Sequence, residues 1–222
     1  MIQELAIFGA GSFGREVAGI VDRINQIEPR WKIVGFYDNI HPVGEVCEYG
    51  RVLGNVDAIA DVTTPLAMVI AIGEPAVIKA VRNRITNPLI TFPNIIDPLV
   101  DILHPASVRF GEGNIVANKC VFTVDVTIGD FNIFNGDIGV GHGTTIGNCN
   151  AIMPGVQIAD DVRVGDYNLI GMRAGVMTGV KIGNETRIGA GSIIDSDTVD
   201  GHLYMGNPAR SIYSPPDKNE AK

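Results

Sequence analysis

TIGDFNIFNGDIGVGHGTTIGNCNAIMPGVQIADDVRVG, residues 127–165, carries an apolar residue at every sixth position: Ile128, Phe134, Val140, Ile146, Ile152, Ile158 and Val164. The beat extends in both directions. It begins at Phe110, passes Val116 and Phe122, and continues through Ile170, Val176, Ile182, Ile188 and Ile194 without a missed step. Glycine follows the apolar residue at Gly111, Gly129, Gly141, Gly147, Gly165, Gly171, Gly183 and Gly189. Four residues after it stands a small or β-branched residue, as at Val126, Thr144, Val156, Ala174, Val180, Thr186 and Ser192.

A period of six is the signature of a parallel β-helix. Each hexad makes one short strand and one turn, and three hexads close a triangular coil. The apolar residue points inward and stacks on its equivalent 18 residues later. A single coil cannot bury its apolar face, so the core exists only when coils stack. About five coils fit between Phe110 and Val199. An antiparallel sandwich is the alternative, but its strands vary in length and would not hold phase. Because no long loop interrupts the beat, the walls of any site must come from elsewhere, and a neighbouring copy is the natural source. The flat faces of such a prism favour cyclic packing, most simply a homotrimer.

Upstream, the texture differs. LAIFGA reads as a short buried strand and GREVAGIVDRIN as an amphipathic helix. WKIVGFYD is a second strand ending at Asp38, LAMVIAIG a third, and EPAVIKAVRNRI a second helix. Strand–helix–strand order implies parallel pairing. Between the first strand and helix, Gly9, Gly11 and Gly14 fit G-x-G-x-x-G, the turn that brings a pyrophosphate to a helix N-terminus. NAD is one reading of that turn, and a tight turn without ligand is another. Residues 1–95 are too few for two mononucleotide-binding halves. The division expected is therefore 1–95 Rossmann-like, 96–205 β-helix and 206–222 C-terminal tail.

Composition narrows the classes. The 222 residues are 45% hydrophobic and 19% charged, which fits a folded chain. A net charge of −8 argues against nucleic acid as partner. Cys47, Cys120 and Cys149 form no C-x-x-C pair and no even disulfide framework, which points to a reducing cytoplasm. The N-terminal apolar stretch is too short for a signal peptide, and no stretch approaches a membrane span.

Together the hexads, the start IFGAGSFGREV and the end YMGNPARSI resemble bacterial sugar O- and N-acyltransferases, over essentially the whole chain. The resemblance is to the group that acetylates sialic acids or nucleotide-linked amino sugars. It implies an α/β Rossmann-like subdomain followed by a left-handed parallel β-helix. It implies acetyl-CoA as co-substrate, lying between adjacent β-helices of a trimer, and a nucleotide-linked sugar on the N-terminal unit, for surface glycan synthesis. By position it assigns Gly11, Ser12, Phe13, Asp38, Asn39 and Gly73 to the nucleotide sugar. Phe13 stands where several members carry histidine. Ala151, Met172 and Ala190 fall to coenzyme A, with Lys181, Arg187 or Arg210 as candidates for its phosphates.

Acyl transfer from a thioester needs a base near neutrality, which suits histidine. His142 lies two residues after inward Val140, beside a turn, where the resemblance places the general base. Asn135 matches a position associated with that base. Many members place an acid directly after the histidine, whereas here it is Gly143. Asp160, one coil above, is the substitute expected, with Asp137 and Asp125 as others; a solvated turn residue is the bland reading of Asp160. Backbone N–H groups near Gly155 or Asp160 would hold the oxyanion. An acyl-cysteine route through Cys149 or Cys120 is the competitor. His41 and His104 each sit beside proline in a turn, and His202 lies near the exit. A zinc enzyme on this fold needs three converging histidines, and only His142 lies on the regular coils, so no metal is expected. A nucleotidyltransferase would need a larger N-terminal domain. A non-catalytic nucleotide-sugar-binding scaffold is the remaining alternative.

Overall fold

The computed structural model describes residues 2–216. The last six residues of the expected C-terminal tail, 217–222, lie outside the described residues, as does Met1.

The N-terminal unit is one twisted sheet flanked by helices. Its elements are β1 (Gln3–Phe8), α1 (Ser12–Ile27), β2 (Trp31–Tyr37), β3 (Val46–Cys47), β4 (Gly50–Gly54), β5 (Leu66–Ile70), α2 (Pro75–Arg84) and β6 (Ile90–Thr91). The strand order is β3-β4-β2-β1-β5-β6, parallel throughout except for the β3–β4 hairpin. That hairpin was not expected: both its strands are short and its outward residues mixed. Strand β5 is buried along its whole length, as a central parallel strand should be. Helix α1 buries Val17, Ala18, Ile20 and Val21 on one face. The register sets Phe8 level with Tyr37 and with Ile70, so Gly9, Asp38 and Ala71 emerge together at one edge. The chain crosses from β1 to one side and returns on the other. The switch point, where doubly wound sheets hold their ligands, therefore lies between the ends of β1 and β5.

From Ile95 onward the chain winds as a parallel β-helix of two-residue strands. Its first face begins at Ile95–Ile96, its second at Asp101–Ile102 and its third at Arg109–Phe110, with six, six and five such strands respectively. From Arg109 to Ile194 successive rungs pair 18 residues apart, as Ile115 with Ile133 and Phe122 with Val140; the spacing is 20 where the first coil begins and 16 at the closing hairpin. The first coil begins earlier than the beat read from Phe110. Ile96 and Ile102 point inward, but two extra residues between Ile102 and Phe110 break the six-residue count there. The core is the expected stack: Phe122, Phe134, Ile152, Ile170 and their equivalents are almost wholly buried. Phe122 packs edge-on against Phe110 and Phe134 at 5.2 Å each.

The corners are tight. Nine non-glycine residues adopt left-handed backbone there, among them Phe131, Asp161 and Tyr167. At the third corner, between third and first faces, Asn114, Asn132, Asn150 and Asn168 stack as a buried ladder. Each Oδ1 accepts the backbone N–H one coil above. A hairpin, Leu203–Gly206 with Ala209–Tyr213, closes the far end of the first face.

The N-terminal unit lies on the first face. Ile95, Ile115 and Ile133 from that face belong to the same buried cluster as the β1–β5 core. Buried Asp97, at the first turn, meets Arg23 of α1 at 3.0 Å.

Candidate active site

The turn after β1 is shaped by its three glycines in different ways. Gly9 has φ +114°, and a Cβ there would fall 2.6 Å from the Ala71 carbonyl oxygen. A Cβ on Gly14 would fall 1.8 Å from the Gly9 carbonyl oxygen, so this glycine lets α1 close on the turn. Gly11 differs: its φ is −72° and nothing lies within 4 Å of a Cβ placed there. Gly73, at the end of β5, likewise faces open space. No packing demands glycine at these two positions, and both flank the switch point. Helix α1 has no side-chain cap and no acid in its first turn, so its N-terminal partial charge is unneutralised.

Asp38 is committed to the backbone. Its Oδ2 accepts the Ala10 N–H at 2.7 Å, and Oδ1 accepts those of Ile40 and His41 at 2.7 and 3.0 Å. Burial pushes the carboxyl up, but the three N–H bonds outweigh it and hold it below the usual carboxylate range. Asp38 thus anchors the glycine turn to the end of β2. Asn39 uses its Oδ1 to accept the Val56 N–H at 3.1 Å.

A cleft of about 410 Å³ opens between this edge and the first face of the β-helix. Ser12, Phe13 and Gly73 line it from the N-terminal unit, and Asn135, Ala151 and Leu169 from the coils. It brings together residues read separately from sequence as substrate, base-associated and coenzyme contacts. Met172 and Ala190 are exposed at the same first corner, above Asn135. The sequence reading missed Ile133, Met153, Leu169 and Glu74 in this cleft. A signal existed: the residue before the inward one is apolar on the lower rungs of the first face, at Ile95, Ile115, Ile133, Ala151 and Leu169, but polar on the third face, at Thr127, Thr145, Arg163 and Lys181.

His142 lies elsewhere, at the second corner, on the opposite side of the Gly139–Val140 strand from Asn135. Within one chain the two residues therefore do not meet. The His142 imidazole is exposed, with Nε2 3.4 Å from Oδ2 of Asp160; Oδ1 of the same carboxylate accepts the His142 backbone N–H at 3.2 Å. Asp160 thus accepts from the turn below and also faces the ring. Glycine at 141 permits this, since a Cβ there would fall 2.4 Å from Asp160 Oδ1. The departure at Gly143 has a matching explanation. Gly143 has φ +67°, and a Cβ there would fall 2.3 Å from Asp161 Oδ1, so a side chain at 143 would have to displace the Asp161 carboxylate of the coil above. No hydrogen bond or ion pair joins Asp137 or Asp125 to His142 among the described residues.

A groove of about 410 Å³ crosses the second face from Lys119 and Asp137 to Asp160, passing Gly139 and Gln157. The Gly155 N–H donates to the Gly136 carbonyl at 3.2 Å and is not free for an oxyanion. The Asp160 N–H has no acceptor among the described residues.

Other candidates are otherwise engaged. Arg187, considered for coenzyme phosphates, pairs with Glu74, and Arg210 pairs with Asp195 at 3.2 Å. His104 bonds Ser107 at 2.9 Å, His202 bonds Ser211 at 3.0 Å, and His41 faces Glu45 at 3.2 Å. Burial pushes the Cys120 and Cys149 thiols up to about 11, so neither is a thiolate nucleophile near neutral pH. Among the described residues no group of three His, Cys, Asp or Glu is arranged to hold a metal ion, and no helix is long and apolar enough to cross a membrane.

A phosphate-type glycine turn joined to a six-residue parallel β-helix defines a class, the hexapeptide-repeat transferases of the left-handed β-helix type. Comparison with known proteins agrees. Residues 4–87 match the PglD N-terminal domain, and residues 161–196 match the bacterial transferase hexapeptide (six repeats). No curated protein sequence matches the chain. Among solved structures, the acetyltransferase domain of PglB from Neisseria gonorrhoeae in complex with acetyl coenzyme A is similar at 25% identity and TM-score 0.86, over 96% of this chain and 100% of that one. PerB from Caulobacter crescentus, in complex with CoA and GDP-perosamine, is similar at 26% identity and TM-score 0.82, over 95% and 98%. WeeI from Acinetobacter baumannii shares the fold at 23% identity and TM-score 0.84, over 95% and 100%. The chain thus joins a PglD-type N-terminal domain to hexapeptide repeats and is similar over nearly its whole length to sugar acetyltransferases of the hexapeptide-repeat type.

Proposed function

We propose that this acyltransferase moves an acetyl group from acetyl-CoA to the amino group of a nucleotide-linked sugar, with His142 as general base. The observation that carries the reading is the exposed His142 imidazole held beside the Asp160 carboxylate on an uninterrupted prism. With Nε2 facing Asp160, Nδ1 is the nitrogen left for a proton. The acceptor amine attacks the thioester carbonyl and a C–N bond forms while His142 takes the amine's proton. Asp160 stabilises the imidazolium. The C–S bond then breaks, and the departing thiolate takes the proton back. The unclaimed Asp160 N–H suits the oxyanion.

The nucleotide sugar is assigned to the Gly11–Phe13 turn and Gly73, where open space meets the α1 N-terminus. Asp38 supports that turn, and Asn39, which follows it in sequence, is assigned to the nucleotide sugar with it. Met172, Ala190 and Ala151 are the coenzyme contacts. Since His142 and the Asn135 cleft occupy neighbouring corners, the reaction needs the second corner of one copy against the first corner of the next. Such a head-to-tail contact closes as a ring, and a homotrimer of triangular prisms is the simplest closure. The similar structures hold acetyl-CoA, or CoA with GDP-perosamine, and two of the perosamine N-acetyltransferase structures carry a replaced histidine. The absence of paired cysteines fits a cytoplasmic enzyme.

The test is thiol release from acetyl-CoA against a panel of nucleotide-linked amino sugars, with product mass spectrometry. N-acetylation that disappears in His142→Ala is the expected result. An ester product assigns O-acetylation instead. Calorimetric binding of nucleotide sugar without any turnover makes the chain a binding protein and ends the catalytic reading.

A further inference from the structure

We infer that two contacts to the β-helix, from Glu74 just before α2 to Arg187 and from Lys79 of α2 to Tyr167, fix the Gly73 edge of the acceptor cleft. Arg187 and Tyr167 are then positioning residues for the acceptor; this rests on the reading of the cleft given above.

The third-corner column Gly113, Phe131, Cys149, Tyr167 and Glu185 has left-handed backbone at every position. Glycine is at ease there, whereas a bulky side chain is strained. Of the nine non-glycine residues with such backbone, Phe131 and Tyr167 are the two aromatics. Both are covered by cations of α2. Lys79 Nζ stands 3.9 Å from the Tyr167 ring centroid, and the Arg82 guanidinium 5.3 Å from Phe131 and 4.6 Å from Phe92. Lys79 and Arg82 are three residues apart, so they project from one side of the helix. Two rings kept in a conformation that disfavours them, each under a cation of one helix, mark a docking surface within the chain.

The second contact stands at the cleft itself. Glu74 immediately precedes α2 and follows Gly73. It lines both the acceptor cleft and a second cavity of about 370 Å³ bounded by Lys79, Tyr167, Glu185 and Arg187. Glu74 therefore stands between the two clefts, and Arg187 holds it from the side of the second. Arg187 occupies the outward position of the first face that lower rungs fill with Leu169, Ala151 and Ile133. The switch from apolar to cationic comes where the apolar contact with the N-terminal unit gives way to this pair. Both partners are about half exposed, as are most such surface pairs that contribute little to global stability. Their loss should therefore displace the Gly73 edge without unfolding the chain.

The experiment compares Arg187→Met, Tyr167→Leu, Tyr167→Phe and the exchanged pair Glu74→Arg with Arg187→Glu. Hydrogen exchange of amides 71–78 is followed in the unliganded protein, with KM for each substrate. Arg187→Met and Tyr167→Leu should speed that exchange and raise the acceptor KM about three- to fivefold. KM for acetyl-CoA and kcat should stay within about twofold. Tyr167→Phe, which keeps the ring, should match wild type, and the exchanged pair should regain the protection lost in Arg187→Met. A rise in the acetyl-CoA KM would place Arg187 on the coenzyme and overturn the inference. So would unchanged exchange, or a Phe variant as damaged as the Leu variant. If wild type acylates no nucleotide-linked sugar, the acceptor reading falls, while the exchange data still decide whether the contacts hold the edge.

Discussion

Replacing Asp160 by asparagine separates the two jobs of this carboxylate. Asn keeps an oxygen to accept the His142 backbone N–H, now at 3.2 Å, but removes the charge 3.4 Å from Nε2. Unit charges at that separation interact by about 1.2 kcal/mol in a water-like medium. Imidazole and carboxylate are 60% and 43% exposed, so screening reduces the value to about 0.2–1 kcal/mol in the isolated chain. A neighbouring copy over this corner would expel water and strengthen it. The expected result is a fall in kcat of about fivefold or more, with the thermal midpoint unchanged within about 2 °C. Asp160→Ala should lose the same activity and, in addition, about 1 kcal/mol of stability from the lost N–H acceptor. Steady-state thiol release and thermal unfolding of both variants read the two effects. An Asp160→Asn enzyme with wild-type turnover would show that the carboxylate serves only the turn, and the acid partner of His142 would have to be sought on another copy.

Gly11→Ala should fold normally, because nothing lies within 4 Å of the added Cβ, yet weaken nucleotide-sugar binding measured by calorimetry; Gly14→Ala, 1.8 Å from a backbone oxygen, should cost about 2 kcal/mol or more in denaturant unfolding. The Asp38 carboxyl is held below its unfolded value, so its contribution to stability is complete above about pH 4 and is lost as pH falls through the lowered native value. Asp38→Asn should therefore be less stable at neutral pH and flatten the acid limb of the stability curve; an unchanged acid limb would refute the anchoring role. With Cys120 and Cys149 pushed up to about 11 and buried, an aromatic disulfide reagent at pH 8 should titrate one thiol per native chain quickly, that of half-buried Cys47. Rapid reaction of all three would contradict the packing of the third and first corners.

Periodicity alone determined the β-helix, because each inward residue must match its neighbour 18 positions on and any slip would expose a whole rung. The glycine turn was equally legible, since Gly9 and Gly14 answer to local sterics between β1 and α1. The His142–Asp160 pairing could be foreseen from the same 18-residue repeat. Three matters were settled only in three dimensions. The first coil, from Ile95, escapes the beat because two additional residues lengthen its second corner. Asp38 satisfies three backbone donors rather than standing open for a ligand, which depends on where β1 ends beside β2. The separation of His142 from Asn135 follows from chain winding: seven residues apart in sequence, they flank one strand and look out from different corners. Sequence order records which residues recur, but the side of the prism each one faces, and what covers it, are set by how the N-terminal unit packs onto the first face.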